Sequence, residues 1–223
     1  MSNLFDAAAQ ADRKAVRLLL PHLQSGDPVR RRVLNQAMSA AFGGSDADGH
    51  WNQRGSFELL EHALSIHLQA SGSILSGMAD VSRLIALSER LPTHTVRSED
   101  QIEWQQFSTP VDIAAVTTLL ANVQPDDVIL EPSAGNGLLV AQLPTHKALH
   151  SNELDPLRRG RLHAAFPLAI VTGHDGATIN STLASLDRPT LILMNPPFSR
   201  SIGRGAGCNQ LGDLAIDAGE NQF

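Results

Sequence analysis

The tetrapeptide Asn195-Pro196-Pro197-Phe198 follows directly on an apolar run, Leu191-Ile192-Leu193-Met194. Two prolines fix the backbone and remove two amide donors, so rigid carbonyls remain. The side-chain oxygen of Asn195 and the carbonyl of Pro196 can then accept from one amino group, and Phe198 offers a flat face to a planar ring. Such a corner binds a planar –NH₂ group through its hydrogens and leaves its lone pair free. The competing reading of an Asn-Pro pair is plain turn punctuation after a strand.

Three further signals precede it. In Asp127-Val128-Ile129-Leu130-Glu131-Pro132-Ser133-Ala134-Gly135-Asn136-Gly137-Leu138-Leu139 a buried strand runs into a glycine-rich turn. Gly135 and Gly137 let the backbone approach a ligand where a Cβ would clash. Glu131 ends the strand at its carboxyl edge, where open α/β sheets bind ligands. A ligand-free strand–helix turn is the alternative. In His150-Ser151-Asn152-Glu153-Leu154-Asp155-Pro156 an acid ends a second strand, placed to accept from both hydroxyls of a ribose. Either acid could cap the helix that follows; the reading taken is Glu153 on ribose and Asp155 as cap. In Gly173-His174-Asp175-Gly176 an acid could take the exocyclic amine of a bound adenine, or simply serve the turn.

These residues need a scaffold, and the pattern of runs predicts one. Strand cores are expected at 128–130, 148–152, 168–171 and 191–194, with helices at about 137–143, 156–165 and 177–186 between them. That alternation implies a parallel sheet with crossover helices. Residues 1–92 read as all-helical. A first helix spaces Leu4, Ala8, Ala11, Ala15, Leu18 and Leu19 at three and four residues and is closed by Pro21. A second opens at Asp27-Pro28 and runs through Ala41. After a loop at 42–49, a third runs from Ser56 to Ala70 and a fourth from Ser73 to Arg90, stopping at Pro92. The expected division is a helical region at 1–92, a polar linker at 93–106, a core at 107–200 and an irregular, glycine-rich tail at 201–223.

Composition narrows the function classes. With 42% hydrophobic and 18% charged residues the 223-residue chain suits a folded globular protein rather than a disordered one. A net charge of −6 gives no whole-chain footprint for nucleic acid, so any phosphate-gripping surface is a local patch or belongs to another polypeptide. The lone Cys208 excludes an internal disulfide and a Cys-rich zinc site, which fits a cytoplasmic location. No signal peptide or membrane span is read. His146, His150, His163 and His174 lack metal-ligand spacing. Arg30-Arg31-Arg32 reads as a solvated helix face, and Trp51 and Trp104 as packing residues.

Taken in order, the signals resemble the gamma-type adenine-N6 DNA methyltransferases, in which a Phe-x-Thr-Pro motif precedes the glycine turn; it stands here as Phe107-Ser108-Thr109-Pro110. More narrowly, QQFSTP, VILEPSAGNGLL and NPPFSRSIGRGA look like the methyltransferase part of bacterial strawberry-notch-type helicase/methylase proteins, often plasmid-borne or on integrated elements. The resemblance spans about residues 104–206. It implies a Rossmann-like sheet, S-adenosyl-L-methionine as cofactor, and methylation of the N6 amine of an adenine flipped out of duplex DNA. By that resemblance Phe107, Thr109, Pro110, Glu131, Pro132, Gly135, Gly137, Glu153 and Asp175 bind the cofactor, with Thr109 and Pro110 at its methionine end, Glu131 on its amino group, Glu153 on its ribose and Asp175 on its adenine. Asn195, Pro196 and Phe198 hold the target base.

A complete sheet of that family has seven strands and this sequence offers about four, so the expectation is a C-terminally truncated or split product whose activity alone is in doubt. Its partners would be DNA and either a helicase or the missing C-terminal half, with no membrane. Alternatives are an RNA or protein-glutamine N-methyltransferase and a non-catalytic fragment that binds cofactor or a partner. A nicotinamide dehydrogenase fits poorly, because the third glycine of its fingerprint is missing and Asn-Pro-Pro-Phe is left unexplained.

Overall fold

A computed structural model describes residues 2–72, 75, 77–92, 108–176, 179 and 188–195, with the backbone alone for 2–8. Four helices come first: α1 (Ser2–Ser25), α2 (Arg31–Phe42), α3 (Gln53–Ala70) and α4 (Met78–Ser88). After α5 (Val111–Ala121) the chain alternates: β1 (Val128–Glu131), a 3₁₀ turn at Leu138–Val140, β2 (Ala148–Asn152), α6 (Pro156–Ala165), β3 (Ile170–Thr172) and β4 (Leu191–Ile192). The four strands form one all-parallel sheet in the order β3-β2-β1-β4. The chain therefore steps outward from β1 through β2 to β3, then returns to the other side of β1. The switch point, where such sheets take ligands, therefore falls at the carboxyl ends of β1 and β4.

Several elements depart from the sequence expectation. Pro21 does not close the first helix; α1 continues to Ser25 with Pro21 inside it. An internal proline costs about 3 kcal/mol, and burial of Leu23, one turn beyond buried Leu19, offsets much of it. Asp27-Pro28 does not open α2. The Asp27 carboxylate accepts from Ser25 Oγ instead, and the buried Val29 donates its amide to the Arg90 carbonyl, which holds the stretch before Arg31 extended. The third helix starts at Gln53, three residues early, because the Asn52 side chain caps it by accepting from the Gly55 amide. The fourth is shorter than expected.

In the second half, the helix expected at 137–143 is only the 3₁₀ turn: six residues separate Gly137 from Pro144, and Leu138 to Ala141 are all buried, so no solvent face exists for a surface helix. The third strand begins at Ile170, since Ala169 donates back to the Phe166 carbonyl in a turn that leaves Leu168 98% exposed. Only Leu191–Ile192 of the fourth run form strand, although Leu193 still donates its amide to Leu130. Helix α5, nearly all apolar and so without a readable stripe, was not expected. The linker at 93–106, the helix at 177–186 apart from residue 179, and the tail at 201–223 lie outside the described residues.

One buried apolar cluster runs through both halves, from Leu19, Leu34 and Leu64 to Ile129, Val140 and Leu162. Helix α3 is its hinge: it packs on α1 and α2 on one side and on α6 and the 3₁₀ turn on the other. No helix among the described residues is long and apolar enough to cross a membrane.

Candidate functional site at the carboxyl edge of the sheet

Strand β1 is an inner strand, paired on both sides and buried along its whole length, and it delivers Glu131 to its carboxyl end. The Glu131 side chain is 1% exposed. Its Oε1 accepts from the Ser133 amide at 3.1 Å and from Ser133 Oγ at 3.4 Å, whereas its Oε2 has no partner among the described residues. Burial pushes its pKa up to about 8 against the pull of the two Ser133 hydrogen bonds, and the nearby Glu153 carboxylate adds to the rise. Near neutrality this group is a protonated acid with one orphaned oxygen. A ligand ammonium would favour its ionised form.

The glycine turn that follows is held from several directions. Ala134 donates its amide to the Asn152 carbonyl and Gly135 donates to Glu153 Oε2 at 2.8 Å. The other Glu153 oxygen accepts from the Asp155 amide at 2.8 Å. Asp155 caps α6, its Oδ1 accepting from the amides of Leu157 and Arg158, with Pro156 at the first helical position. The cap reading of Asp155 thus holds, and both oxygens of Glu153 meet backbone amides, one of them in the glycine turn itself.

Gly137 has φ +82°, and a Cβ there would overlap the Phe166 ring and sit 2.9 Å from a Leu162 methyl. Gly135, at φ +57°, has nothing within 4 Å of that position. We expect Gly137→Ala to destabilise the fold by about 2–3 kcal/mol, combining left-handed strain with overpacking, and Gly135→Ala by about 1 kcal/mol from strain alone. Urea unfolding of the two variants checks the order; equal losses would mean that the α6 face does not constrain Gly137.

Asn152 joins this turn to β3. Its Nδ2 donates to the carbonyls of Pro132 and His174, and its Oδ1 accepts from Thr172 Oγ1 and from the His174 amide. The sequence reading passed over it, although a buried polar residue ending a strand beside an acid is a usable signal. The neighbouring Asp175 is exposed at the same edge of the sheet.

On the other flank, Asn195 follows β4 and donates from Nδ2 to Thr109 Oγ1 at 2.9 Å, joining residues 86 positions apart. That bond fixes the Asn195 amide and leaves Oδ1 as its acceptor end. Pro110 starts α5. Beside Thr109, Ser108 Oγ donates to Glu61 Oε2 at 2.6 Å, and the same oxygen accepts from Asn136 Nδ2 at 2.8 Å. A run of contacts therefore links Asn195, Thr109, Ser108, Glu61, Asn136, Gly135 and Glu153. Phe107, Pro196 and Phe198 lie outside the described residues, as does Trp104.

Comparison with protein-family models, with curated proteins and with solved structures gives no match to this chain. The geometry therefore bears the functional argument.

The sequence reading also missed the arginines of α6. Arg158 and Arg161, each about 6% exposed, lie against Glu58 of α3 at 2.8 and 3.0 Å, and Arg161 also reaches Asp12 of α1 at 3.0 Å. Burial alone would raise the Glu58 pKa, but the two guanidiniums hold it below the usual carboxylate value. These ion pairs lock α6, and with it Asp155 and Glu153, to the N-terminal helices. Elsewhere, Trp51 is buried with its Nε1 donating to the Gly44 carbonyl, as a packing residue should be, and Arg31 lies 5.8 Å from the Phe57 ring centre. Among the described residues no three His, Cys, Asp or Glu side chains gather as a metal site would need.

Proposed function

We propose that the chain is an S-adenosyl-L-methionine-dependent methyltransferase core acting on the exocyclic N6 amine of adenine in DNA, with a Rossmann-like sheet as its frame. The observation that carries this reading is the run of contacts from Asn195 to Glu153, which gathers at one sheet edge the residues that the motif order assigns to base and cofactor. The chain's own groups fit the cofactor. The orphaned Glu131 oxygen suits an ammonium, and each Glu153 oxygen keeps a second lone pair for a ribose hydroxyl.

When bound, S-adenosylmethionine supplies an electrophilic methyl group on a sulfonium. The chain's task is orientation. An aromatic amine is a poor nucleophile because its lone pair is delocalised into the ring. Asn195 Oδ1 and the Pro196 carbonyl accept its two hydrogens, favour a more tetrahedral nitrogen and aim the lone pair. Positioning of this kind supplies up to about 7–11 kcal/mol in ideal cases. The Thr109 bond matters because it keeps the Asn195 amide from turning. A single cysteine suits the reducing cytoplasm, where such DNA would be met.

The test is transfer of a labelled methyl group to adenine-containing duplex DNA, with RNA and protein as parallel acceptors. The wild-type chain is expected to label DNA. Asn195→Ala should lower turnover about a hundredfold, the scale seen when one positioned polar group is removed from an active site, while cofactor affinity stays within about threefold. Labelling of RNA or protein but not DNA would reassign the acceptor. Cofactor binding without transfer to any acceptor would leave a binding module, not an enzyme.

A further inference from the structure

We propose that helix α3 is a working part of the cofactor site: through Glu61, and through Ser65 one turn on, it positions the glycine turn against the Ser108–Thr109 segment. This inference rests on the methyltransferase reading for the identity of the ligand, but not for the mechanical coupling itself.

The spacing along α3 is the first support. Glu58, Glu61, Ser65 and Gln69 recur at three- and four-residue intervals, which puts them on one face of a helix. Each is engaged with the second half of the chain. Glu58 meets Arg158 and Arg161; Glu61 Oε2 takes both Ser108 Oγ and Asn136 Nδ2. Ser65 Oγ donates to the Asn136 carbonyl at 2.8 Å, and Gln69 Nε2 donates to the Ala141 carbonyl at 2.6 Å. A polar stripe on a helix normally faces water. Here it faces protein: two of its members meet side chains and two meet loop carbonyls.

What the stripe touches is the second support. Asn136, 2% exposed, stands between the two glycines and is gripped twice, by its side-chain amide and by its carbonyl. Ser108 is the neighbour of the residue that holds Asn195. Glu61 thus joins the cofactor-side turn to the base-side segment through one carboxylate oxygen. Were α3 merely docked on the sheet, its polar groups would be expected on the strand-flanking surface of α6; three of the four reach the turn at 136–141 or the segment at 108 instead. Burial raises the Glu61 pKa, while the bonds from Ser108 and Asn136, and Arg158 nearby, oppose the rise.

The experiment compares the full chain with its Glu61→Ala, Glu61→Gln and Ser65→Ala variants. Amide hydrogen exchange at Ala134, Gly135 and Gly137 is followed without ligand, and S-adenosylmethionine affinity is titrated in parallel. Removing the shared acceptor in Glu61→Ala should speed exchange at those amides about tenfold or more and weaken cofactor binding by a similar factor, while α2 exchanges as in wild type. Glu61→Gln keeps an oxygen that accepts from the same two donors and should stay within about threefold on both readouts. Should Glu61→Ala fail to fold, Ser65→Ala carries the same reading through the Asn136 carbonyl. Unchanged exchange in the turn, exchange that rises equally in α2, or no rescue by glutamine would overturn the inference. A wild-type chain that binds no S-adenosylmethionine sinks the functional reading, yet the exchange comparison still decides the role of α3.

Discussion

Between pH 4.5 and 8 the wild-type chain is expected to lose stability as pH rises, and the Glu131→Gln variant is expected to lose markedly less, keeping only the part due to the other buried carboxyl, Glu61. The cause is the buried carboxyl at the end of β1, raised from an ordinary 4.5 to about 8 chiefly by removal from water. Below pH 4.5 the group is protonated whether the chain is folded or not, and its burial as the neutral acid is then undisturbed. Above that, the unfolded chain releases the proton while the folded chain keeps it, so the folded state binds more protons and rising pH favours unfolding. The stability present at low pH is fully lost once pH passes the folded value near 8. At 1.36 kcal/mol per pH unit the span corresponds to about 5 kcal/mol. Glutamine does not titrate, so subtracting its pH profile from the wild-type profile isolates this one group. Urea unfolding at half-unit pH steps measures it. Parallel profiles would show that Glu131 is ionised in the folded chain, and the proposed fit to a ligand ammonium would then need no proton release.

The second large effect concerns the ion pairs beneath the site. Glu58→Gln is expected to destabilise the fold by about 3–5 kcal/mol at neutral pH, the usual cost of removing one partner from a buried ionic group. The Arg158 side chain is 7% exposed and, among the described residues, Glu58 is the one acid it hydrogen-bonds, so the variant leaves a guanidinium in poor solvent. Arg161 keeps Asp12 and suffers less. The sign with pH is opposite to that of Glu131. The Glu58 pKa is lowered, so its contribution is present above about 4.5 and disappears as pH falls through the folded value. Glu58→Gln should therefore approach wild-type stability in acid and fall furthest behind near neutrality. Replacing Arg158 and Glu58 together by methionine and leucine should recover much of the loss, since a well-packed apolar pair often matches a buried salt bridge. A neutral-pH loss below about 1 kcal/mol would place these groups in the class of surface pairs, which contribute little.

The features of this chain that could be read directly are those whose causes are local. Val128 to Leu130 and Ala148 to Asn152 are short apolar or β-prone runs bounded by turn residues, and both are strands. Asp155-Pro156 carries its own start signal, and α6 begins there. Ends were less legible. Pro21 and Asp27-Pro28 are genuine stop and start signals, but tertiary contacts at Leu23 and Val29 overrode them. Helix α5 was hidden because an almost uniformly apolar helix has no periodic contrast.

By itself, then, the sequence determined an α/β alternation after a helical region, the residues at the strand ends, and the cap of α6, since propensity, capping and strand patterning act within a few neighbouring residues. Only the tertiary structure decided the strand order that puts β4, and Asn195 after it, next to β1, the hub at Asn152, and the direction of the α3 stripe. The partners of that stripe lie far along the chain, as with Ser65 and Asn136, 71 residues apart, or Arg161 and Asp12, 149 apart. A buried glutamate paired across such a distance has the same local pattern as a solvated one, because burial and pairing are properties of the packed chain.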